Sequence, residues 1–173
     1  MWPETVYPLA CLTTIARIAQ LGVMGNTFEV RQAQLGDWEQ VQALYQQMHP
    51  TDSLSKDGRE ALVFEEILGS NNFFIFLLCD GVNVLATTYL NIIPNLTRGA
   101  APYALVENVV TSRHMQRQGL GKKLMSHTVQ YAWQRGCYKV MLMTGSKRES
   151  TNRFYRACGF DGDAKRGFML RNS

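Results

Sequence analysis

The sequence predicts a mixed α/β sandwich, in which helices cover a central β-sheet. In the first part of the chain, β-branched and aromatic runs are separated by Asp80-Gly81, a strong hairpin signal, so these strands are expected to pair locally. In the second part, apolar runs alternate with segments of helical periodicity. Strands that first pair with their neighbours and then alternate with helices are typical of a mixed α/β fold.

The first elements are a strand and a helix. Residues 27–32 alternate between apolar and polar side chains, as a half-buried strand does. A helix is then expected to begin with Asp37 as its N-cap and to end before Pro50, because the residue preceding a proline disfavours helical geometry. The apolar positions recur at helical spacing and predict a buried face made of Val41, Leu44, Tyr45 and Met48.

A second helix and a hairpin follow. The pattern predicts a helix over residues 57–68, closed by Gly69. Two strands, residues 72–79 and 84–92, are then joined through Asp80-Gly81. These elements complete the part of the sheet that pairs locally.

The rest of the chain alternates strands with helices. Strands are predicted at 104–111, 138–144 and 167–171, and helices at about 119–135 and 148–158. The first of these helices has apolar residues at three- and four-residue steps, which predicts a buried face made of Leu120, Leu124, Met125, Thr128, Val129 and Ala132.

The turn between the strand at 104–111 and the next helix reads Gln116-Arg-Gln-Gly-Leu-Gly121. Glycines allow the backbone to approach a ligand closely, and the first N–H groups of a helix point outward at the positive end of its dipole. This arrangement predicts a pyrophosphate site. Short Gly-x-Gly matches are common, however, and the alternative is that Gly119 and Gly121 only shape a turn.

The same turn resembles the acetyl-CoA loop of the GCN5-related N-acetyltransferases (GNAT), with Gln116, Gly119 and Gly121 in register. The segment Asn152-Arg-Phe-Tyr-Arg-Ala-Cys-Gly-Phe160 is similar to the family's second landmark, a helix ending in F-Y-x-x-x-G-F. The resemblance spans roughly residues 27–171. It implies a mixed, mostly antiparallel sheet of about six to seven strands flanked by about four helices. It also implies transfer of an acetyl group from acetyl-CoA to the primary amine of a small molecule, by direct attack in a ternary complex.

The resemblance implies which residues contact the co-substrate. In the family, the pantetheine arm of acetyl-CoA runs along the strand before the loop. Backbone groups of that strand bind the arm, and one of its amides polarises the thioester carbonyl. The matching cofactor-binding positions are Val109, Val110 and Thr111 on the strand and Gln116, Arg117, Gln118, Gly119, Leu120, Gly121 and Lys122 in the loop. Many relatives also carry an asparagine seven residues before the tyrosine of the second motif, where this chain has Arg148. Either Asn152, one turn later, replaces that asparagine, or the contact with the pantetheine arm is missing.

Two residues are the candidates for acid–base catalysis. Glu107 stands in an otherwise apolar strand, where burial would raise its pKa toward the range of a general base, and family members use a glutamate at this place. Tyr155 matches the tyrosine that commonly lies near the coenzyme sulfur and can protonate the leaving thiolate. The alternative for Glu107 is a solvated or hydrogen-bonded structural role, and the alternative for Tyr155 is packing of its aromatic ring between helix and sheet. Phe160 and Phe168 are expected in the core.

The acceptor is poorly specified by sequence. In such folds it lies against the early helices, their connecting loop and the last strands, where His49, Asp52, Lys56 and Arg98 could line its site. The net charge of +4 and the pair Lys165-Arg166 suggest an acceptor carrying phosphate, phosphonate or carboxylate.

Composition excludes several other classes. At 173 residues with 46% hydrophobic and 18% charged residues, the chain has the size and composition of one soluble globular domain. No basic cluster interleaved with aromatics indicates nucleic-acid binding, and no apolar stretch is long enough to predict a membrane span. The four cysteines show no Cys-x-x-Cys spacing, so we expect no metal and a reduced, cytoplasmic protein. The sequence is compatible with a homodimer as well as with a monomer.

The chain is expected to divide into an N-terminal extension, residues 1–24, and an N-acetyltransferase domain, residues 25–173. The extension is fairly apolar from Pro8 to Met24 but lacks the features of a secretory signal. It is either dispensable or an amphipathic helix that packs on the domain or a partner through Leu12, Ile15, Ala16, Ala19 and Val23.

Two functional alternatives remain beside a small-molecule acetyltransferase. The acceptor could instead be a lysine or the N-terminus of a protein, which would require a groove open enough for a chain. The domain could also be a non-catalytic, regulatory acyl-CoA-binding module, in which substitution of Glu107 or Tyr155 would change nothing measurable.

Overall fold

A computed structural model describes residues 27–172. The predicted extension, residues 1–24, and its proposed amphipathic helix lie outside the described residues. The elements, in chain order, are β1 Phe28–Gln32, α1 Trp38–Met48, α2 Arg59–Leu68, β2 Phe73–Asp80, β3 Asn83–Ile93, β4 Tyr103–Thr111, α3 Leu120–Gln134, β5 Val140–Leu142 and α4 Glu149–Ala157. Short 3₁₀ turns at Leu35–Asp37 and Arg113–Met115 precede α1 and the glycine-containing loop.

The strands form one mixed sheet in the order β1-β2-β3-β4-β5. The first four strands pair antiparallel, and β5 pairs parallel with β4. The predicted hairpin is present, since Asp80 pairs with Asn83 across a turn in which Gly81 has a φ of 56°. The predicted mixed α/β class is therefore confirmed, with five strands in the described region rather than six to seven.

The prediction of a final strand at 167–171 was wrong, because this segment has no regular secondary structure. A strand is stable only when its backbone pairs with a neighbour. The preceding strand, β5, extends over only three residues instead of the seven expected, so it provides little edge for pairing. Phe168, expected in the core, is 88% exposed, whereas Phe160 packs against the core as expected.

Each face of the sheet carries its own apolar core. On one face α3 and α4 pack on the sheet, and the predicted buried face of α3 is confirmed, with Leu120, Leu124, Met125, Thr128 and Ala132 buried and Val129 partly so. On the other face α1 and α2 pack on alternate residues of the same strands. There Val41 and Leu44 are buried, and Tyr45 and Met48 are partly buried, as their helical spacing predicted. The sheet thus separates two layers.

Asp37 precedes α1 as expected, but its carboxylate does not cap that helix. It accepts two 2.7 Å hydrogen bonds from the guanidinium of Arg31 and one of 2.8 Å from the backbone N–H of Gln34. These bonds satisfy a buried carboxylate, and the Arg31 hydrogen bonds hold its pKa below the usual range. They tie the end of β1 to the start of α1.

Replacement of Asp37 with alanine is expected to reduce the free energy of unfolding by about 1–3 kcal/mol, because it removes these bonds from a largely buried site. Urea denaturation at neutral pH measures this. Since the pKa is lowered in the folded state, the contribution is present above the ordinary aspartate pKa and is lost as the pH falls below about 4. Asp163→Ala, which removes an exposed partner of Arg156, is the control and should change stability by under about 0.5 kcal/mol. Equal losses in both variants would contradict the prediction.

Candidate active site

A β-bulge interrupts β4 in the middle of the sheet. The register between β3 and β4 shifts around Thr88, because Thr87 pairs with Val110 while Tyr89 pairs with Glu107. Asn108 lies at the shift with a φ of 50°, a left-handed conformation that asparagine tolerates better than most residues. The bulge withdraws backbone groups of β4 from the regular ladder and turns the side chains beyond it to the opposite faces.

Beyond the bulge, one edge of β4 has no strand partner in the described region. Only Ala104, Leu105 and Val106 pair with β5, which ends at Leu142. Strand β4 continues to Thr111 on its own on that side. Polar backbone groups of a buried or half-buried strand require partners. This edge, which contains Val109, Val110 and Thr111, is therefore suited to an extended ligand that bonds to the main chain.

The loop after β4 leads directly into the N-terminus of α3. The side-chain amide of Gln116 donates a 3.1 Å hydrogen bond to the carbonyl of Thr111, which fixes the start of the loop. Arg117 and Gly119 both have positive φ angles, 63° and 80°. Lys123 donates the first backbone hydrogen bond of the helix to Gly119, so the N–H groups of the first turn precede it and have no helical acceptor.

Exposed cations surround this turn. Arg117 and Lys122 are exposed cations, the neutral Gln118 is also exposed, and Leu120 is buried. Free N–H groups at a helix N-terminus, with nearby basic side chains, fit an anionic ligand such as a pyrophosphate.

Gly121 is required by close packing. A Cβ added to it would lie 2.9 Å from Thr111 Oγ1 and 3.3 Å from the Phe154 ring. Its position therefore allows the end of β4, the start of α3 and the side of α4 to meet closely. A Cβ at Gly119 would meet nothing within 4 Å, and that residue is required only for its positive φ.

Glu107 faces the layer of α1 and α2. Its cross-strand neighbour is Tyr89, which packs in that layer, whereas the adjacent Val106 packs in the layer of α3 and α4. The carboxylate is partly buried, and burial raises its pKa above the usual range. This is the direction expected for a general base at neutral pH.

Tyr155 lies on the opposite side of the sheet. It packs against the core that α3 and α4 cover and makes edge contacts with the rings of Phe154 and Phe160. Burial raises the pKa of its hydroxyl, and the neighbouring Cys158 and Glu107 raise it further. Tyr155 therefore retains its proton at neutral pH and can donate it.

A cavity of about 390 Å³ opens on the Glu107 side of the sheet. It lies between α1, the following loop, the start of α2 and the bulge, and is lined by Trp38, Gln42, Tyr45, Gln46, Met48, His49, Asp52, Ser53, Leu54, Glu60 and Asn108. Its size and its apolar walls with a few polar groups are those of a small-molecule site.

The structure brings some of the predicted acceptor residues to this cavity and leaves others away from it. His49 and Asp52 line it, but Lys56 and Arg98 do not. Lys165 and Arg166 are exposed in the irregular C-terminal segment and also do not line it. Asn152 is exposed on α4, three residues before Tyr155.

Sequence reasoning missed a polar cluster beneath the bulge. Burial raises the pKa of the Tyr45 hydroxyl, and the polar side chains of Thr87 and Asn108 near it act in the opposite direction. Thr87 is fully buried, and its Oγ1 has no hydrogen bond of normal geometry among the described residues. The sequence contained no signal for this cluster, because Tyr45 occupies an ordinary position of a helical apolar face.

The described residues contain neither a metal-binding cluster nor a membrane-spanning helix. Within residues 27–172, no three histidine, cysteine, aspartate or glutamate side chains are grouped closely enough to hold a metal ion. No helix in this part of the chain is long and apolar enough to cross a membrane.

Comparison with known proteins gives a consistent result. Residues 38–160 match the family model described as the acetyltransferase (GNAT) family. The chain is 28% identical over 152 residues to glucosamine 6-phosphate N-acetyltransferase 1 of Oryza sativa subsp. japonica, covering 86% of this chain and 90% of that protein.

Solved structures share the fold. A protein from Agrobacterium tumefaciens str. C58, proposed to be an acetyltransferase, is 37% identical and superposes with a TM-score of 0.79, covering 83% of this chain and 99% of that one. The aminoglycoside N-acetyltransferase AAC(6′)-Iy in complex with CoA is 19% identical, with a TM-score of 0.74 over 88% of this chain and 99% of that one. The second likeness concerns the fold alone.

Proposed function

The chain belongs to the GNAT family of acetyltransferases, and we propose that it transfers the acetyl group of acetyl-CoA to the primary amine of a small molecule. The observation that carries the proposal is the free edge of β4, with Glu107 on one face of the sheet and Tyr155 on the other. The cavity on the Glu107 face is of small-molecule size. The rice relative is named for glucosamine 6-phosphate, and the solved neighbour AAC(6′)-Iy for aminoglycosides, both small amines.

The residues present suit acetyl-CoA as co-substrate. The unpaired edge of β4 would hold the pantetheine arm through main-chain groups of Val109, Val110 and Thr111. The turn from Gln116 to Lys122 would hold the pyrophosphate, and Asn152 on the same helix as Tyr155 would contact the arm. When bound, acetyl-CoA supplies the thioester whose acyl group is transferred.

The proposed chemistry uses one residue from each face of the sheet. Glu107, directly or through water, takes a proton from the acceptor ammonium, so that the free amine can attack the thioester carbon. Backbone N–H groups at the bulge stabilise the charge that develops on the carbonyl oxygen. A new C–N bond forms and the C–S bond breaks. Tyr155 donates its proton to the departing sulfur. The attacking nitrogen loses its second proton, which restores the tyrosine through solvent, and Glu107 releases its proton to solvent.

Replacement of Tyr155 with phenylalanine tests the acid. We expect kcat to fall about 10²-fold or more, while the dissociation constant for acetyl-CoA stays within about threefold, because the ring and its packing are kept. Calorimetry measures binding, and release of free thiol measures turnover. Tyr138→Phe, at an exposed tyrosine that lies after α3, is the matched control. Unchanged kcat in Tyr155→Phe would remove this residue from the mechanism.

The first experiment on the proposal as a whole combines binding and turnover. Micromolar binding of acetyl-CoA, followed by thiol release with a member of a panel of small amines, is the expected result. Failure to bind acetyl-CoA would overturn the assignment of the β4 edge and the loop. Binding without release for any small amine, but with release for a peptide, would favour a protein acceptor instead.

A further inference from the structure

The cavity beside the bulge has a charge opposite to that of the chain. The chain carries a net charge of +4, yet the charged side chains that line the cavity are the carboxylates of Asp52 and Glu60. No lysine or arginine is among the described residues that line it. A ligand in this cavity therefore meets two carboxylates together with apolar side chains such as Trp38 and Met48.

Neither carboxylate is neutralised by an ion pair within the described part of the chain. Lys56, which lies between them in the sequence, is exposed and does not line the cavity. Arg59 donates to Asp57 at 3.2 Å, and Arg113, from the turn after β4, donates to the carbonyl of Gln47 at 3.0 Å. The negative charge of the cavity is thus available to a ligand.

Glu60 is held in place as an ionised group. Its carboxylate accepts a 2.7 Å hydrogen bond from the backbone N–H of Ser55 and a second bond from the hydroxyl of the same residue. These bonds lower the pKa of Glu60, so it keeps its charge at neutral pH. Because Ser55 belongs to the loop between α1 and α2, the contact also fixes the wall of the cavity.

The floor of the cavity adds a neutral polar group. Tyr45 and Asn108 line it, and the buried Thr87 hydroxyl beside them has no hydrogen-bond partner of normal geometry in residues 27–172. The hydroxyl of Tyr45 and the amide of Asn108 can each donate a hydrogen bond to a ligand at the bulge or accept one from it. The polar floor lies next to Glu107 in the chain, and the carboxylates come from the loop and from α2.

From this arrangement, and resting on the proposed function, we infer that the acceptor is a small amine carrying a second cationic group, a diamine or polyamine, and not a sugar phosphate. One amine reaches the bulge and loses its proton to Glu107. The other remains an ammonium and binds Asp52 and Glu60 through charge-assisted hydrogen bonds, while its methylene chain packs on the apolar wall. A phosphate dianion in the same position would be repelled by both carboxylates.

The inference is tested with two pairs of amines, the members of each pair differing in one charged group. Putrescine and n-butylamine share a four-carbon chain, and glucosamine 6-phosphate and glucosamine share a sugar. We expect kcat/KM for thiol release to be about 10-fold higher or more for putrescine than for n-butylamine, and lower for glucosamine 6-phosphate than for glucosamine. Higher salt should raise KM for putrescine but leave n-butylamine unchanged.

Asp52→Asn should raise KM for putrescine about 5- to 10-fold, and should raise KM for n-butylamine by a smaller factor. Glu39→Gln, at an exposed glutamate of α1 that does not line the cavity, is the matched control. It should change neither KM for putrescine nor KM for n-butylamine. A preference for glucosamine 6-phosphate over glucosamine, or equal KM values for putrescine in wild type and Asp52→Asn, would overturn the inference and leave the acetyltransferase proposal intact.

Calorimetry separates the two claims where turnover is lacking. If no amine releases thiol, the proposed function fails. Binding of putrescine to the CoA-saturated protein, weakened by Asp52→Asn and not by Glu39→Gln, would still support the cationic ligand. Absence of putrescine binding in that titration would overturn it.

Discussion

Replacement of Glu107 with glutamine is expected to lower kcat about 10²–10⁴-fold, since the variant cannot take the proton of the acceptor amine. Glutamine has nearly the same shape, so acetyl-CoA binding should be unchanged. The wild-type rate should fall as the pH is lowered through the pKa of Glu107, which burial has raised, because the protonated acid is not a base. This acidic limb of the pH–rate profile should be absent in Glu107→Gln.

Steady-state kinetics over a range of pH, with calorimetry for acetyl-CoA, makes these measurements. Glu29→Gln, at an exposed glutamate of β1, is the matched control and should retain the wild-type profile. If Glu107→Gln kept both its rate and the acidic limb, the base would have to be another group. The non-catalytic module would then be the better interpretation.

Replacement of Gly121 with aspartate is expected to abolish acetyl-CoA binding. From sequence, the reason is a charged side chain placed where the pyrophosphate would sit. The structure adds a second reason, because the Cβ would point at Thr111 Oγ1 and the Phe154 ring, at 2.9 and 3.3 Å. Contacts this short force the end of β4 or the side of α4 to move, which costs about 1–3 kcal/mol. That movement would displace both the free edge of β4 and the neighbouring Tyr155.

Gly121→Ala distinguishes the two reasons, since it adds the Cβ without the charge. We expect it to weaken acetyl-CoA binding at least about 10-fold, and Thr111→Ala in the same chain to restore part of the loss by removing Oγ1. Gly36→Ala is the control, because a Cβ there meets nothing within 4 Å. Normal acetyl-CoA binding by Gly121→Asp would show that the loop assignment is wrong.

Local patterns were sufficient for most of the elements. The spacing of apolar residues predicted the buried faces of α1 and α3, and Asp80-Gly81 predicted the hairpin between β2 and β3. These features depend on periodicity and on turn chemistry, which are properties of neighbouring residues. The prediction of a strand at 167–171 was wrong for the complementary reason. A strand also needs a partner, and β5 is too short to provide a long one.

Asp37 shows the same limit at a single residue. Its position before a helix made it a good N-cap candidate, yet its carboxylate is taken by the guanidinium of Arg31 from the end of β1. A charge-assisted, bidentate pair is stronger than a hydrogen bond to one backbone N–H. The carboxylate of Asp37 therefore binds Arg31 and does not cap α1.

For the candidate site, the amino-acid sequence alone was enough to select the family, the glycine-containing loop and the two residues proposed as base and acid, because these are carried by short motifs. Only the tertiary structure revealed three further features: the bulge at Asn108, the end of pairing between β4 and β5 after Val106, and the cavity lined by Asp52 and Glu60. Each of these joins residues far apart in the chain. Their geometry comes from strand pairing and layer packing, which no local pattern contains.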